Sequence, residues 1–305
     1  GNPRSQQIEQ QMKKDTDKML HSVFDMLSNS TFPEEQIEKL RPRLKTSAEN
    51  YNNKKEMIAF YKMFKTIFKN HPYALPHAGD PESFTNATRE QMLAIYDKYY
   101  SPERMKIVAV GDFDEAWIRD KLNREFGRWQ KESQDPMTEF SEIAPLRGKT
   151  VFAVNMPDAK QCRVDIGFNP VKGGIKSSNQ DLAALDILER ILCGSTLTSR
   201  MGVELRDNRG LCYGIRSNLW VRKHGGYWNI RTNTDADNVN EMIHGMFEQI
   251  ELVQKEGITP EELEKAKFRA LSMLTFQLRT ADDIGYRVFD MLKKEQPLNY
   301  FDTEK

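Results

Sequence analysis

Chemistry needs a nucleophile, a proton carrier or a set of metal ligands at fixed spacing, and this sequence offers few of them. Its histidines are His21, His71, His77, His224 and His244. No H-x-x-H, H-E-x-x-H or H-x-x-E-H pattern occurs, so no helix turn presents two imidazoles to a zinc ion. His71 and His77 lie six apart around a proline-bearing loop without a nearby acid, and read as ordinary loop histidines. Cys162, Cys193 and Cys212 are an odd, sparse set with no C-x-x-C pair, which reads as small buried hydrophobes. G-x-S-x-G, the Walker loop and the dinucleotide fingerprint are all missing. What remains is the stretch "VELRDNRGLCYGIRSN", residues 203–218, where Arg206 and Tyr213 stand seven apart across Gly210. Residue chemistry leaves two readings open. One is a cation stabilised at a helix C-terminus beside a tyrosine on a sheet face. The other is a pair of hydrogen-bond donors converging from a helix end and a strand.

The elements that must position this pair are legible from periodicity. "LTSRMGVELRDNRG" reads as a helix stopped by Gly210, a suitable left-handed residue after the last turn. "LCYGIRSNLW" and "YWNIRTNT" read as strands of a hairpin around His224-Gly225-Gly226. "QCRVDIGFNP" alternates apolar and polar residues and reads as a further strand, as do "KTVFAVNM" and the apolar run in "RMKIVAVGDFD". Helices are expected over the first 28 residues, in "KKEMIAFYKMFKTIFKN", in "QDLAALDILERIL", from about Ala236 to Glu256, and through "ADDIGYRVFDMLKK". Thr88 with Gln91, and Thr259 with Pro260 and Glu262, mark helix starts by the capping-box pattern, and Asp114 can cap another.

Hairpins and helices mix without a βαβ rhythm, which implies an α+β fold with helices on one face of a mostly antiparallel sheet. A polar, proline-bearing stretch at 131–148 reads as a linker between a first domain over 1–130 and a second over 149–305. The 305 residues are 38% hydrophobic and 30% charged with zero net charge. That balance gives no support for nucleic acid or an acidic membrane as partner. No apolar run is long enough for a transmembrane helix. The chain starts Gly1-Asn2-Pro3, which fits a processed or recombinant start.

Four stretches taken in order resemble a known family: "DMLSNSTFPEEQIEKLR", "HPYALPHAGDPESFTNATREQMLAIYDKYYSPERMKIVAVGDFD", "LTSRMGVELRDNRGLCYGIRSN" and "GITPEELEKAK". The family is that of the pitrilysin/insulinase-type zinc metallopeptidases, the inverzincins, whose relatives include the processing peptidases and the reductase core proteins. The resemblance implies two similar α+β domains per half-enzyme, with this chain matching the back part of the first domain and nearly all of the second. The region that would hold H-x-x-E-H has no counterpart here. The third zinc ligand of catalytic halves, a glutamate, falls by this alignment on Ser47. Glu49 lies two residues off, about 200° around a helix, which makes it a poor candidate ligand. The resemblance therefore implies a half with no zinc of its own, working with a zinc-bearing homologous half, in the same polypeptide or a separate subunit. Peptides would be its substrates. It also implies that Arg206 and Tyr213 are the substrate-binding pair of a non-catalytic half, facing one solvent-filled concavity and holding the scissile carbonyl. The rival expectations are a catalytic half whose H-x-x-E-H lies upstream, and a structural protein like the reductase cores. For compartment, the expectation is the bacterial periplasm or cell envelope, with the mitochondrial matrix as alternative.

Overall fold

The computed structural model describes residues 3–132, 140–169 and 173–297. The chain divides into two compact units, one of residues 1–47 and 80–139, the other of 48–79 and 140–305. The sequence places its break at 131–148. Part of that stretch, 133–139, lies outside the described residues, and Ile143 just beyond it is buried in the core of the second unit. The structure also assigns residues 48–79 to the second unit, a long-range grouping that no local composition change announces.

The regular elements of the first unit are all helices among its described residues. It contains α1 (Pro3–Ser28), most of α2 (Glu34–Asn52), α4 (Pro81–Asn86), α5 (Arg89–Tyr99) and α6 (Glu115–Phe126). α1 packs on α6 through the edge-on rings of Phe24 and Phe126, 5.6 Å apart. The loops are held by arginines that collect carbonyls: Arg41 donates to Phe84 O at 2.6 Å and Ala87 O at 3.0 Å, and Arg89 to Phe32 O at 3.0 Å. The Thr88–Gln91 capping box forms at the start of α5, and Asp114 caps α6. The strand expected within 105–114 does not form. Ile107 and Val110 are exposed, and no neighbouring strand of the unit offers them backbone partners.

The second unit holds α3 (Lys55–Phe68), β1 (Cys162–Phe168), α7 (Leu182–Leu192), β2 (Ile215–Trp220), β3 (Tyr227–Thr234), α8 (Val239–Glu256), α9 (Pro260–Phe276) and α10 (Ala281–Lys294). The strands form one antiparallel sheet in the order β1-β3-β2, with Ile166 opposite Ile230 and Asn218 opposite Asn229. The α+β class holds, with the sheet confined to this unit among the described residues. Alternation along the strands sorts the side chains onto two faces. Val164, Ile166, Phe168, Ile215, Leu219, Trp228 and Ile230 join α7 and α8 in the main core. The other face carries Arg163, Asp165, Arg216, Asn218, Asn229, Arg231 and Asn233, together with Gly167, Trp220 and Tyr227. Helices were expected on one face alone. Instead α3 covers part of this second face, because Gly167 leaves room for Met63 and Ile67, and Phe60, Phe64 and Phe68 surround Tyr227. The expected strand at 149–156 is also not formed. Val151 is 84% exposed, and the segment pairs with no strand.

Candidate functional site

The segment that carries Arg206 is a π-helix, Gly202–Asn208, not the regular α-helix that the sequence implies. Its wider turn is visible where Arg209 N donates to Glu204 O at 3.1 Å, five residues back. Single π-turns inside helical segments recur at functional sites because they re-aim a side chain. The segment enters against the 195–196 turn so closely that a Cβ on Gly202 would stand 2.2 Å from Thr196 O. Leu205 points inward and is fully buried, with Gly245 of α8 leaving the space it fills. Arg209 ties the outer side down, donating to Glu204 at 2.9 Å and to Glu248 of α8 at 2.8 Å. Just upstream, Arg200 grips Glu262 of α9 at 2.5 and 2.7 Å. That grip is the first cause holding the Glu262 carboxyl down at about 2.

Gly210 then takes φ +64°, a left-handed turn that glycine adopts without strain, and the chain reverses. Residues 211–214 run alongside β3, pinned by two threonines on alternate positions. Thr234 Oγ1 donates to Leu211 O at 2.6 Å, and Thr232 Oγ1 to Gly214 O at 2.9 Å. Leu211 is buried by this docking, and Tyr213 is turned outward with 92% of its surface exposed.

Arg206 and Tyr213 are thereby brought together. Arg206 Nε donates to the Tyr213 carbonyl at 2.9 Å, and the guanidinium carbon stands 6.0 Å from the phenol ring centroid. A second guanidinium nitrogen, Nη1, donates to the Asp207 carboxylate. Arg206 is half-buried, whereas the Tyr213 ring is open to solvent. A cavity of about 360 Å³ does open beside the π-helix, lined by Arg200, Val203, Glu204, Glu262 and Arg269 among others, but neither Arg206 nor Tyr213 lines it. Chemically, the pair brings a guanidinium beside a phenol that is open to solvent.

Ser47 and Glu49 sit near the end of α2, Ser47 exposed and Glu49 half-buried on either side of buried Ala48. Among the described residues no three His, Cys, Asp or Glu side chains gather to hold a metal ion. No step below runs through a metal held by this chain. His71 lies in an aromatic cluster, 4.5 Å from the Tyr73 ring and 5.4 Å from Phe140, with Nδ1 accepting from Tyr73 N at 3.1 Å. Cys193 is buried as expected of a small hydrophobe, and Cys162 and Cys212 are half-buried.

Comparison with known proteins matches residues 86–269 to the family described as "Peptidase M16 inactive domain". The chain belongs to that peptidase M16 inactive-domain family. Among its relatives, a Bacillus subtilis protein named as an uncharacterized zinc protease, YmxG, is 22% identical over 263 residues, covering 86% of this chain and 62% of its own length. A Rickettsia felis protein named as an uncharacterized zinc protease is 24% identical over 277 residues, covering 90% of this chain and 64% of its own. Another, from Mycobacterium bovis, is 26% identical over 202 residues, covering 66% and 45%. This M16 chain thus spans between about half and two thirds of the length of these relatives. In fold it is similar to the crystal structure of a peptidase M16 inactive domain from Pseudomonas fluorescens, with TM-score 0.80 and 22% identity, covering 94% of this chain and 67% of that one. A protease from Helicobacter pylori gives TM-score 0.80 at 17% identity, covering 94% and 69%.

Proposed function

We propose that this chain is the substrate-binding, non-zinc half of a zinc-dependent peptidase, and that Arg206 and Tyr213 hold the scissile carbonyl of a peptide. The observation that carries this reading is the juxtaposition of the two donors: a guanidinium aimed by a π-turn and a phenol held out in solvent by the docked 211–214 segment. The zinc-named relatives support it, as does their greater length. A zinc-bearing homologous half, in the same polypeptide or a separate subunit, supplies the activated water. This chain supplies what the developing tetrahedral oxyanion needs. Donors already oriented toward that oxygen lower the barrier because they need not reorganise as charge builds up. The open position of Tyr213 suits a donor that completes its site only when the two halves enclose a peptide.

The test is reconstitution. Alone, the chain should not cleave an unfolded peptide. Combined with its zinc-bearing half, it should support cleavage, and Arg206→Ala or Tyr213→Phe should lower turnover by roughly 10²–10³ with the zinc content of the partner unchanged. Full turnover in both variants would sink this reading and leave a structural role.

A further inference from the structure

The polar face of the sheet carries a charge that the chain leaves unanswered. Arg216 on β2 and Arg231 on β3 are direct cross-strand partners, and both are exposed. Side chains so placed start with Cβ atoms only ~4.5–5.5 Å apart, and like charges there repel. Among the described residues neither guanidinium has an ion pair or hydrogen bond. The acid nearest in register is Asp165, opposite Arg231 on β1. Its carboxylate is already gripped through both oxygens by Arg163, at 2.8 and 3.1 Å, and is 2% exposed. Other arginines of this unit are matched with acids: Arg190 with Asp186, Arg200 with Glu262, Arg209 with Glu204 and Glu248. The Arg216–Arg231 pair has no such acid among the described residues, and its two arginines face each other across the strands.

The surroundings narrow what would answer it. On the same face of β3, Arg231 stands between Asn229 and Asn233, whose amide oxygens are buried beneath the surface that the arginines present. Asn218 lies opposite Asn229, and Trp220, farther along β2, is substantially exposed. An isolated phosphate would satisfy the arginines but brings no apolar surface for the indole. An extended peptide brings both a carboxylate for the arginines and a neighbouring side chain for the indole.

We propose that Arg216 and Arg231 form a recognition site for an acidic side chain, Asp or Glu, of a peptide lying across β2 and β3. The two guanidinium forks share its carboxylate, which removes their mutual repulsion and adds charge-assisted hydrogen bonds. This rests on the peptide-binding reading of the chain and adds a preference to it.

The experiment uses the full chain and two fluorescein-labelled unfolded peptides, identical except that a single central glutamate in one is glutamine in the other. Fluorescence anisotropy should show the glutamate peptide binding roughly tenfold more tightly or better, with the ratio shrinking as salt is raised. The Arg216→Gln/Arg231→Gln double variant should bind both peptides alike, with its melting temperature showing that it is folded. Arg206→Ala should weaken both peptides without changing their ratio. If the unaltered chain binds the two peptides equally, the acid site is wrong while peptide binding stands. If it binds neither, the peptide-binding reading fails and the acid site with it. If inorganic phosphate at comparable concentration displaces the glutamate peptide as well as a second glutamate peptide does, the site is a general oxyanion site and the peptide assignment is overturned.

Discussion

The two faces of one three-stranded sheet differ in how completely they are closed. One is sealed by α7, α8 and the π-helix, with Ile215, Ile230, Met242, Met246 and Leu205 having no exposed surface. The other is sealed only where α3 lies over β1 and Tyr227, and it opens to solvent at Arg216 and Arg231. The closed face sets the position of Arg206 and Tyr213, because the residues that aim them, Leu205 and Leu211, are anchored in it. The open face has polar groups without internal partners, which is affordable at a binding surface and expensive in a core. Stability and recognition are thus divided between opposite sides of the same strands.

That division is most easily broken from the closed side. Leu205→Ala removes a fully buried side chain beneath Arg206, and the neighbouring Gly245 has no side chain with which to fill the space. A loss of ~2–5 kcal/mol is expected in urea unfolding. A loss well under ~1 kcal/mol would mean that the π-helix is not anchored in this core. Thr234→Val tests the pinning of the Tyr213 segment more narrowly. It keeps the shape of the side chain and removes the donor to Leu211 O, leaving a buried carbonyl unpaired at a cost of ~1–3 kcal/mol. Amide exchange should quicken at 211–214 before it quickens in β3. Uniform quickening would show that the segment and the strand open as one.

How far the sequence announced this arrangement depends on the range of the interaction. The capping boxes at Thr88 and Thr259 and the turn at Gly210 are legible because each is a residue acting on backbone within a few positions. The hairpin around Gly225 and Gly226 is legible for the same reason. The π-turn is not, since its apolar residues suit an α-helix equally and its cause is the close approach of Gly202 to Thr196. Cross-strand register is set by the whole hairpin, so the Arg216–Arg231 opposition is invisible in the linear chain. Apolar runs at 105–110 and 149–156 suggest strands, yet a strand exists only by pairing, and β1 at 162–168 has β3 where they have no partner strand. Arg206 and Tyr213 are singled out by a family resemblance carried on motif order. Their spacing alone favours a helix-end charge beside a tyrosine on a sheet face.

The covered part of the polar face gathers histidines, whereas the closed face holds the buried carboxyl of Glu189, which burial pushes up. His71 sits among Tyr73, Phe68 and Phe140, and the Phe140 ring also contacts His224. Burial is the main cause pushing His71, His77 and His224 below the ordinary imidazole value, assisted respectively by the charges of His224, Arg222 and Lys223. Glu295 pulls His224 the other way. An imidazole depressed on folding binds protons more readily in the unfolded chain. Its stabilising effect is therefore present above the unfolded value of 6.5 and is lost as pH falls below it through the folded value. Urea midpoints should fall between pH 7 and about pH 5, and His71→Asn should flatten that slope. An unchanged slope in the variant would place the proton uptake elsewhere.

The smallest stability effect is expected where the recognition effect is largest. Arg216→Gln or Arg231→Gln touches an exposed side chain with no internal partner among the described residues, so loss of stability should stay within ~0.5 kcal/mol. The sign is informative. Each substitution removes one of two like charges placed directly opposite, a pairing that destabilises a sheet by ~0.2–1 kcal/mol, so a slight gain is expected, larger at low salt than at high salt. Urea unfolding at two ionic strengths measures it. A clear loss in either single variant would show that the arginine has a stabilising partner and that the open face is closed after all. A gain that vanishes in salt would show two cations held together by the strands that carry them, in a folded chain that leaves their charge unanswered.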